Sequence, residues 1–168
     1  MGSYSLRPAR VTNTDRLFAE HRHGVFRFLC RLVGQTESAR DLTQEVFLRV
    51  ARSGLPDTDA GGERAWIYRV ARNLGLNFLR DGARRPATGA MIEPATSPTQ
   101  ELAVALSQAL QTLADMDRDV FLMREVGGLS YEEIAAACHL TTTAVRSRLH
   151  RARQHLRAIL APALGKTP

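Results

Sequence analysis

The sequence predicts an all-α protein of two small helical domains joined by a flexible linker, with a helix-turn-helix in the C-terminal domain. Apolar residues recur at helical spacing on both sides of a proline-rich break, and no segment alternates in the manner of a strand. Two capping signals also open helices after the break. At 168 residues, 44% of them hydrophobic, the chain is long enough to bury two small cores.

The first predicted domain, residues 12–83, contains three helices. Gly34 suits the left-handed cap that ends the first helix, and Thr36 is expected to cap the second. A turn-rich segment, residues 54–62, precedes a third helix over about residues 63–80. The stripes predicted to be buried are Leu17, His21, Val25, Phe28 and Leu32, widened by Phe18 and Leu29; Ala39, Leu42, Val46 and Val50; and Ile67, Val70, Ala71, Leu74 and Phe78.

A linker is predicted at residues 84–98, where three of the seven prolines lie and no regular period is present. The second predicted domain covers residues 99–160. A capping-box pattern at residues 97–100 opens its first helix, which ends near Leu113. A second helix is expected over residues 117–126, and Gly127 and Gly128 break it.

Residues 130–160 predict the helix-turn-helix. Ser130 and Glu133 form a second capping box, a short helix ends near Cys138, and His139 and Leu140 make a tight turn. In this unit the N-terminal part of the second helix enters the major groove of DNA. Arginine side chains there can hydrogen-bond to guanine edges and bind phosphates. A basic helix that is merely solvated is the alternative. The side chains on or near the exposed face are Thr142, Thr143, Arg146, Ser147, His150 and Arg151.

Composition excludes several classes of protein. No run of 18 apolar residues is present and the N-terminus lacks the apolar core of a secretion signal, so a cytoplasmic protein without membrane insertion is expected. Cys30 and Cys138 are far apart and the histidines lack metal-ligand spacing, which predicts neither a disulfide framework nor a metal site. No catalytic constellation or phosphate-binding loop is found, so no cofactor and no enzymatic activity are expected.

Charge is segregated along the chain. The net charge is +6, and 22 of the 23 basic residues are arginine. Residues 1–85 carry +6 and residues 141–168 carry +6, whereas residues 101–133 carry −5. This pattern indicates two faces for nucleic acid and a separate acidic surface that avoids phosphate and faces polymerase or another partner. A charged surface that is merely solvated is the alternative.

Two helix faces in the first domain are candidates for binding. Asp41, Gln44, Glu45 and Leu48 share one side of the second helix, opposite its apolar stripe, as a protein-docking surface would. Solvated acidic side chains are the alternative. On the third helix, an aromatic ring, a guanidinium and amides suit stacking and hydrogen bonding to unpaired bases, although a partly buried tryptophan would also explain part of the pattern. Those residues are Trp66, Arg69, Asn73 and Asn77.

The ordered blocks DLTQEVF, AWIYRVARN and LSYEEIA followed by VRSRLHRAR resemble the extracytoplasmic-function (ECF) sigma factors, the small two-domain sigma subunits of bacterial RNA polymerase. The resemblance covers residues 17–156, nearly the whole chain. It implies a sigma region 2 domain at 12–83, which docks on polymerase and recognises and melts the −10 element, and a sigma region 4 domain at 99–160, which reads the −35 element.

The resemblance also implies partners and residue roles. Asp41, Gln44 and Glu45 match the motif that docks on the β′ clamp helices, and the β flap is the further polymerase contact. Asn73 matches a position lining the pocket for a flipped −10 base. Arg146, Ser147, His150 and Arg151 match positions that read the −35 element. Promoter DNA and an anti-sigma protein are implied partners, and the free chain is expected to be a monomer.

A length estimate is consistent with this division. Each domain is about 29 Å across and the linker spans at most about 40 Å, so the domain centres can lie about 70 Å apart. Two turns of B-DNA cover about the same distance. A stand-alone helix-turn-helix regulator, usually a dimer on paired half-sites, would explain the last helix equally well, but it leaves the docking face and the third helix without a role.

Overall fold

The protein is all-helical, as the sequence predicts. The structure, a computed structural model, describes residues 8–54, 62–83 and 98–164. Those residues contain no strand and form the helices α1 (Pro8–Val33), α2 (Thr36–Ser53), α3 (Gly62–Ala83), α4 (Pro98–Gln111), α5 (Asp115–Glu125), α6 (Tyr131–Cys138) and α7 (Thr142–Leu164). Most of the predicted turn-rich segment and of the linker, together with the capping residue Ser97, lies outside the described residues.

Helices α1, α2 and α3 pack together as the first domain, and most of the predicted stripes are buried. Val25, Phe28, Val46, Ile67 and Ala71 are all fully enclosed. Phe18 is an exception, since it is 39% exposed on the surface of α1. The arrangement buries one face of each helix and leaves the candidate docking side of α2 outside the core.

The helix ends in this domain match the prediction at one position and not at the next. Gly34 adopts a left-handed φ of 73°, and its amide donates to the carbonyl of Cys30. Thr36 does not cap α2: it is the first helical residue, and the cap is Gln35, which has extended backbone and no capping hydrogen bond from its side chain. The prediction for Thr36 was therefore wrong by one position.

Helices α4 to α7 form the second domain, and α6 and α7 are its helix-turn-helix. Ser130 Oγ accepts from the amide of Glu133 at 3.1 Å, and Glu133 accepts in return from the amide of Ser130 at 2.6 Å, which confirms the capping box. Thr141 caps α7 by accepting from the amide of Ala144. Helix α5 begins at Asp115, two residues before the predicted start.

The turn between α6 and α7 contains a strained residue. His139 has φ 55° and ψ 46°, a left-handed conformation that suits glycine. We expect His139→Gly to raise the free energy of unfolding by about 0.5 kcal/mol, because relief of this strain outweighs the added chain entropy. Urea unfolding measures the change. His150→Gly, inside α7, is expected to have the opposite sign, and destabilisation by both changes would contradict the argument.

The two domains lie against each other, which the sequence analysis did not anticipate. Helix α3 packs on α6, and α1 approaches α5. Tyr68 of α3 is 1% exposed, and its ring lies edge-on to Phe28 with centroids 5.5 Å apart. A Cβ on Gly127 of the second domain would come within 2.7 Å of the Tyr68 ring, so the chain needs glycine there. In this packing of the two domains, called the closed arrangement below, the second domain covers the N-terminal part of α3.

Candidate functional site

The predicted docking residues share one exposed side of α2. Asp41, Gln44 and Leu48 are exposed, and Glu45 is half-buried. The Glu45 carboxylate pairs with Arg49 of the same helix at 2.8 Å. Because the apolar face of α2 is packed into the core, the helix is rigid and presents a fixed polar surface.

Two exposed apolar side chains, Phe18 and Leu48, accompany these acidic groups. Phe18 of α1 contacts Phe47 edge to face, with ring centroids 5.0 Å apart. Phe18 and Leu48, the residue that follows Phe47 in the chain, are both large and exposed, whereas Phe47 is buried. Polar and apolar groups side by side are typical of a protein interface. Sequence reasoning placed Phe18 in the core, because helical spacing alone does not show which edge of a stripe the neighbouring helix covers.

The four candidate base-binding residues of α3 lie in two environments. Asn73 and Asn77 are exposed, and Asn77 accepts a hydrogen bond from Arg80. Trp66 is half-buried against the core. Arg69 is also half-buried, and it donates to the carbonyl of Ala136 in the second domain. The C-terminal half of this face is therefore accessible, while Arg69 is held by another helix.

All six candidate DNA-reading residues of the helix-turn-helix are exposed. They lie on the first three turns of α7, whose opposite face is buried through Val145, Leu149 and Ala152. This geometry leaves the N-terminal part of α7 on the surface, which is the part that enters the major groove in the helix-turn-helix motif. The exposed residues are Thr142, Thr143, Arg146, Ser147, His150 and Arg151.

A buried carboxylate holds two arginines of α7. Asp117 of α5 accepts from Arg151 Nε and Nη2, both at 3.0 Å, and from Arg148 Nη1 at 2.8 Å. Burial alone would raise the pKa of Asp117, but the hydrogen bonds and charges of Arg151 and Arg148 outweigh it and lower the pKa. Asp117 was missed in the sequence, where only the acidic character of its segment was visible.

The cysteines are not placed for a disulfide. Cys138 is buried, its thiol lies 3.6 Å from Met123 Sδ, and burial raises its pKa to about 11. Cys30 is half-buried in the other domain, and burial raises its pKa as well. Within the described ranges no group of three His, Cys, Asp or Glu side chains could hold a metal ion. No described helix combines the length and apolarity needed to cross a bilayer.

Comparisons with known proteins match both domains. The family model for Sigma-70 region 2 matches residues 17–85, and that for Sigma-70 region 4 matches residues 103–156. The ECF RNA polymerase sigma factor SigE of Mycolicibacterium smegmatis is 35% identical over 95% of the chain, which spans 66% of that relative's length. The RNA polymerase sigma-H factor of Pseudomonas aeruginosa is 28% identical over 89% of this chain and 87% of its own length.

Solved structures share the fold. CnrH, in complex with the cytosolic domain of CnrY, has a TM-score of 0.68 and 25% identity, covering 90% of both chains. The sigma factor RpoE of Bartonella quintana, in complex with the anti-sigma factor NepR, also has a TM-score of 0.68. It is 21% identical and covers 89% of this chain and 98% of its own.

Proposed function

Since the chain belongs to the extracytoplasmic-function (ECF) sigma factors of bacterial RNA polymerase, we propose that it binds core polymerase and directs initiation at promoters with −10 and −35 elements. The observation that carries the proposal is the occurrence, in one chain, of an exposed polar helix face in the region 2 match and an exposed helix-turn-helix face in the region 4 match. A factor of this kind selects the start site, while polymerase forms the bonds.

Docking is assigned to α2. Asp41, Gln44 and Glu45 would bind the β′ clamp helices, and Leu48 with Phe18 would add apolar contact. The second domain would contact the β flap. The carboxylates support this assignment because acidic groups on a rigid helix fix the orientation of a positively charged partner and speed its association. The chain acts in the cytoplasm, where polymerase is, and is a monomer before docking.

Promoter recognition is divided between the domains. Trp66, Arg69, Asn73 and Asn77 would capture unpaired bases of the −10 element, since rings, guanidinium groups and amides stack on and hydrogen-bond to exposed bases. The −35 duplex would be read by the exposed residues of α7, which are Thr142, Thr143, Arg146, Ser147, His150 and Arg151.

Control by an anti-sigma protein completes the proposal. Two structural neighbours were solved in complex with protein partners, the cytosolic domain of CnrY and the anti-sigma factor NepR. The exposed apolar groups of this chain, Phe18, Leu48, Leu102 and Ile159, offer contact area to a partner of this type.

Run-off transcription tests the function. Purified core polymerase and the protein are combined on candidate promoter templates, and specific transcripts are expected only when both are present. Transcripts that do not depend on the protein would contradict the proposal. Dimeric binding to paired DNA half-sites without polymerase would instead identify a helix-turn-helix regulator.

Arg146→Ala tests direct base reading by α7. Arg146 is exposed in the second turn of the helix, so the change is expected to weaken duplex binding by about 1–3 kcal/mol and to relax preference at one base position. Competition with single-base variants of the −35 duplex measures both effects. Arg157→Ala, further along the same helix, is the control and should leave base preference unchanged. Equal loss on every sequence would assign Arg146 to phosphate.

A further inference from the structure

The closed packing of the two domains is incompatible with binding both promoter elements on one DNA, if the proposed function holds. Domains about 29 Å across that touch have their centres about 30 Å apart, whereas the elements require about 70 Å. The chain must therefore open before it can span a promoter. The closed arrangement is held by contacts between α3 and the second domain.

Three arginines of α3 reach the second domain. Arg72 Nε lies 2.6 Å from Asp119 Oδ2 of α5, and that carboxylate is fully buried. Arg69 donates to the carbonyl of Ala136 in α6. Arg64 donates to the carbonyl of Gly127 and lies 3.7 Å from Glu133. The contacts of Arg72 and Arg64 join the basic first domain to the acidic segment 101–133, and that of Arg69 reaches α6 just beyond it.

The buried pair gives the closed state specificity rather than great stability. Taking both charges from water costs about as much free energy as their attraction returns. Burial raises the pKa of Asp119 despite the charges of Arg72 and Arg118, so desolvation is the larger effect. When the domains separate, both groups regain water. When one partner is removed, the other stays buried and uncompensated, which disfavours closure.

The interface is incompletely satisfied. Among the described residues, the buried side-chain polar atoms without a hydrogen bond are Arg69 Nε, Asp119 Oδ1 and Arg118 Nε, and all three lie at or next to this contact. Folded cores leave few such atoms. A cavity of about 560 Å³ also lies between the domains, lined by residues of both, among them Arg27 and Arg31 of α1 and Glu125 and Val126 of the second domain. An interface with these defects is suited to opening.

Closure affects the candidate surfaces unequally. The docking face of α2 and the DNA-reading face of α7 stay exposed. On α3, Arg64, Arg69 and Arg72 are committed to protein groups and cannot meet phosphate. The closed chain can thus approach polymerase or duplex DNA. The arginine-bearing side of α3, the helix proposed to bind the −10 element and called the −10 helix below, is covered by the second domain.

We propose that Arg64, Arg69 and Arg72 of α3, held by Asp119, Glu133 and the carbonyls of Gly127 and Ala136, form an intramolecular latch that keeps the free protein closed and masks its −10 helix. Opening the latch exposes these arginines to nucleic acid and lets the second domain move to the −35 element. The acidic segment acts as an internal substitute for DNA phosphate.

Small-angle X-ray scattering of the full chain, without polymerase or DNA, tests the latch. The wild-type protein is expected to have a radius of gyration near 15 Å, and Arg72→Gln and Asp119→Asn are expected to exceed about 20 Å. Arg80→Gln on α3 and Asp115→Asn on α5 make the same changes at exposed positions and should stay compact. Circular dichroism confirms that each variant keeps its helices.

Binding to fluorescein-labelled single-stranded DNA of mixed sequence gives a second readout. Asp119→Asn retains all three arginines and frees them for phosphate. Its affinity for this DNA should therefore be at least about threefold higher than that of Asp115→Asn, which has the same net charge. An extended wild-type protein, compact folded variants, or equal DNA affinity of these two variants would each overturn the latch. Compactness is measured without polymerase, so failed run-off transcription would overturn the proposed function alone.

Discussion

Glu45→Arg is expected to weaken binding to core RNA polymerase about 100-fold or more while leaving the helices folded. Glu45 is half-buried on the docking side of α2, next to Gln44 in sequence and about one turn from Asp41. Reversing one charge in a complementary interface both removes an attraction and creates a repulsion, which together amount to several kcal/mol. Within the free protein the change removes only the exposed pair with Arg49, and such i,i+4 pairs contribute about 0.5 kcal/mol or less.

A fluorescence titration of labelled protein with core polymerase measures the dissociation constant. Glu20→Arg is the matched control, because Glu20 is an exposed acid paired with an arginine one turn away, Arg16, on α1. It should bind polymerase as the wild-type protein does. If Glu45→Arg and Glu20→Arg bind equally well, docking does not use this face of α2.

Local features of the fold could be predicted because their causes are local. The capping box of Ser130 and Glu133 is formed by residues three apart, so the sequence contains the whole interaction. Gly34 ends α1 because only glycine adopts its left-handed backbone without strain. The exposed faces of α2 and α7 follow from helical periodicity, which fixes their opposite faces in the core.

The contacts that define the closed state could not be predicted, because their partners lie far apart in the chain. Arg72 and Asp119 are 47 residues apart, and composition showed only that one segment is basic and the other acidic. The acidic segment was expected to face polymerase or another protein partner, which stays a prediction. In the structure two of its carboxylates, Asp119 and Glu133, lie near arginines of α3 of the same chain. Nothing local distinguishes Tyr68, which the second domain covers, from an exposed tyrosine.

The partner of Arg151 could not be predicted from the sequence either. Its position on α7 predicts contact with DNA, and the side chain is indeed exposed. Its guanidinium, however, is held by Asp117 from α5, 34 residues earlier in the chain. Asp117 thereby fixes the direction in which this guanidinium points.

Asp117→Asn is expected to lower the free energy of unfolding by about 2 kcal/mol at pH 7. The substitution keeps the shape of the side chain but removes the charge that binds Arg148 and Arg151. Breaking a fully buried ion pair costs about 3–5 kcal/mol, and the figure here is smaller because Arg148 and Arg151 are partly exposed and can hydrate. Urea unfolding at fixed pH measures the loss. Asp115→Asn, on the exposed side of α5, is the control and should cost less than about 0.5 kcal/mol.

The pH dependence of this loss identifies its cause. Because the folded protein lowers the pKa of Asp117 below its ordinary value of 3.8, the carboxylate contributes its full stability above that value. The contribution falls as pH drops through the lowered pKa, since the folded state must then bind a proton it disfavours. The difference between wild-type and Asp117→Asn proteins should therefore be constant above about pH 5 and shrink below about pH 4. A difference that persists unchanged at pH 3 would show that Asp117 acts through packing, and that its charge does not hold α7 to α5.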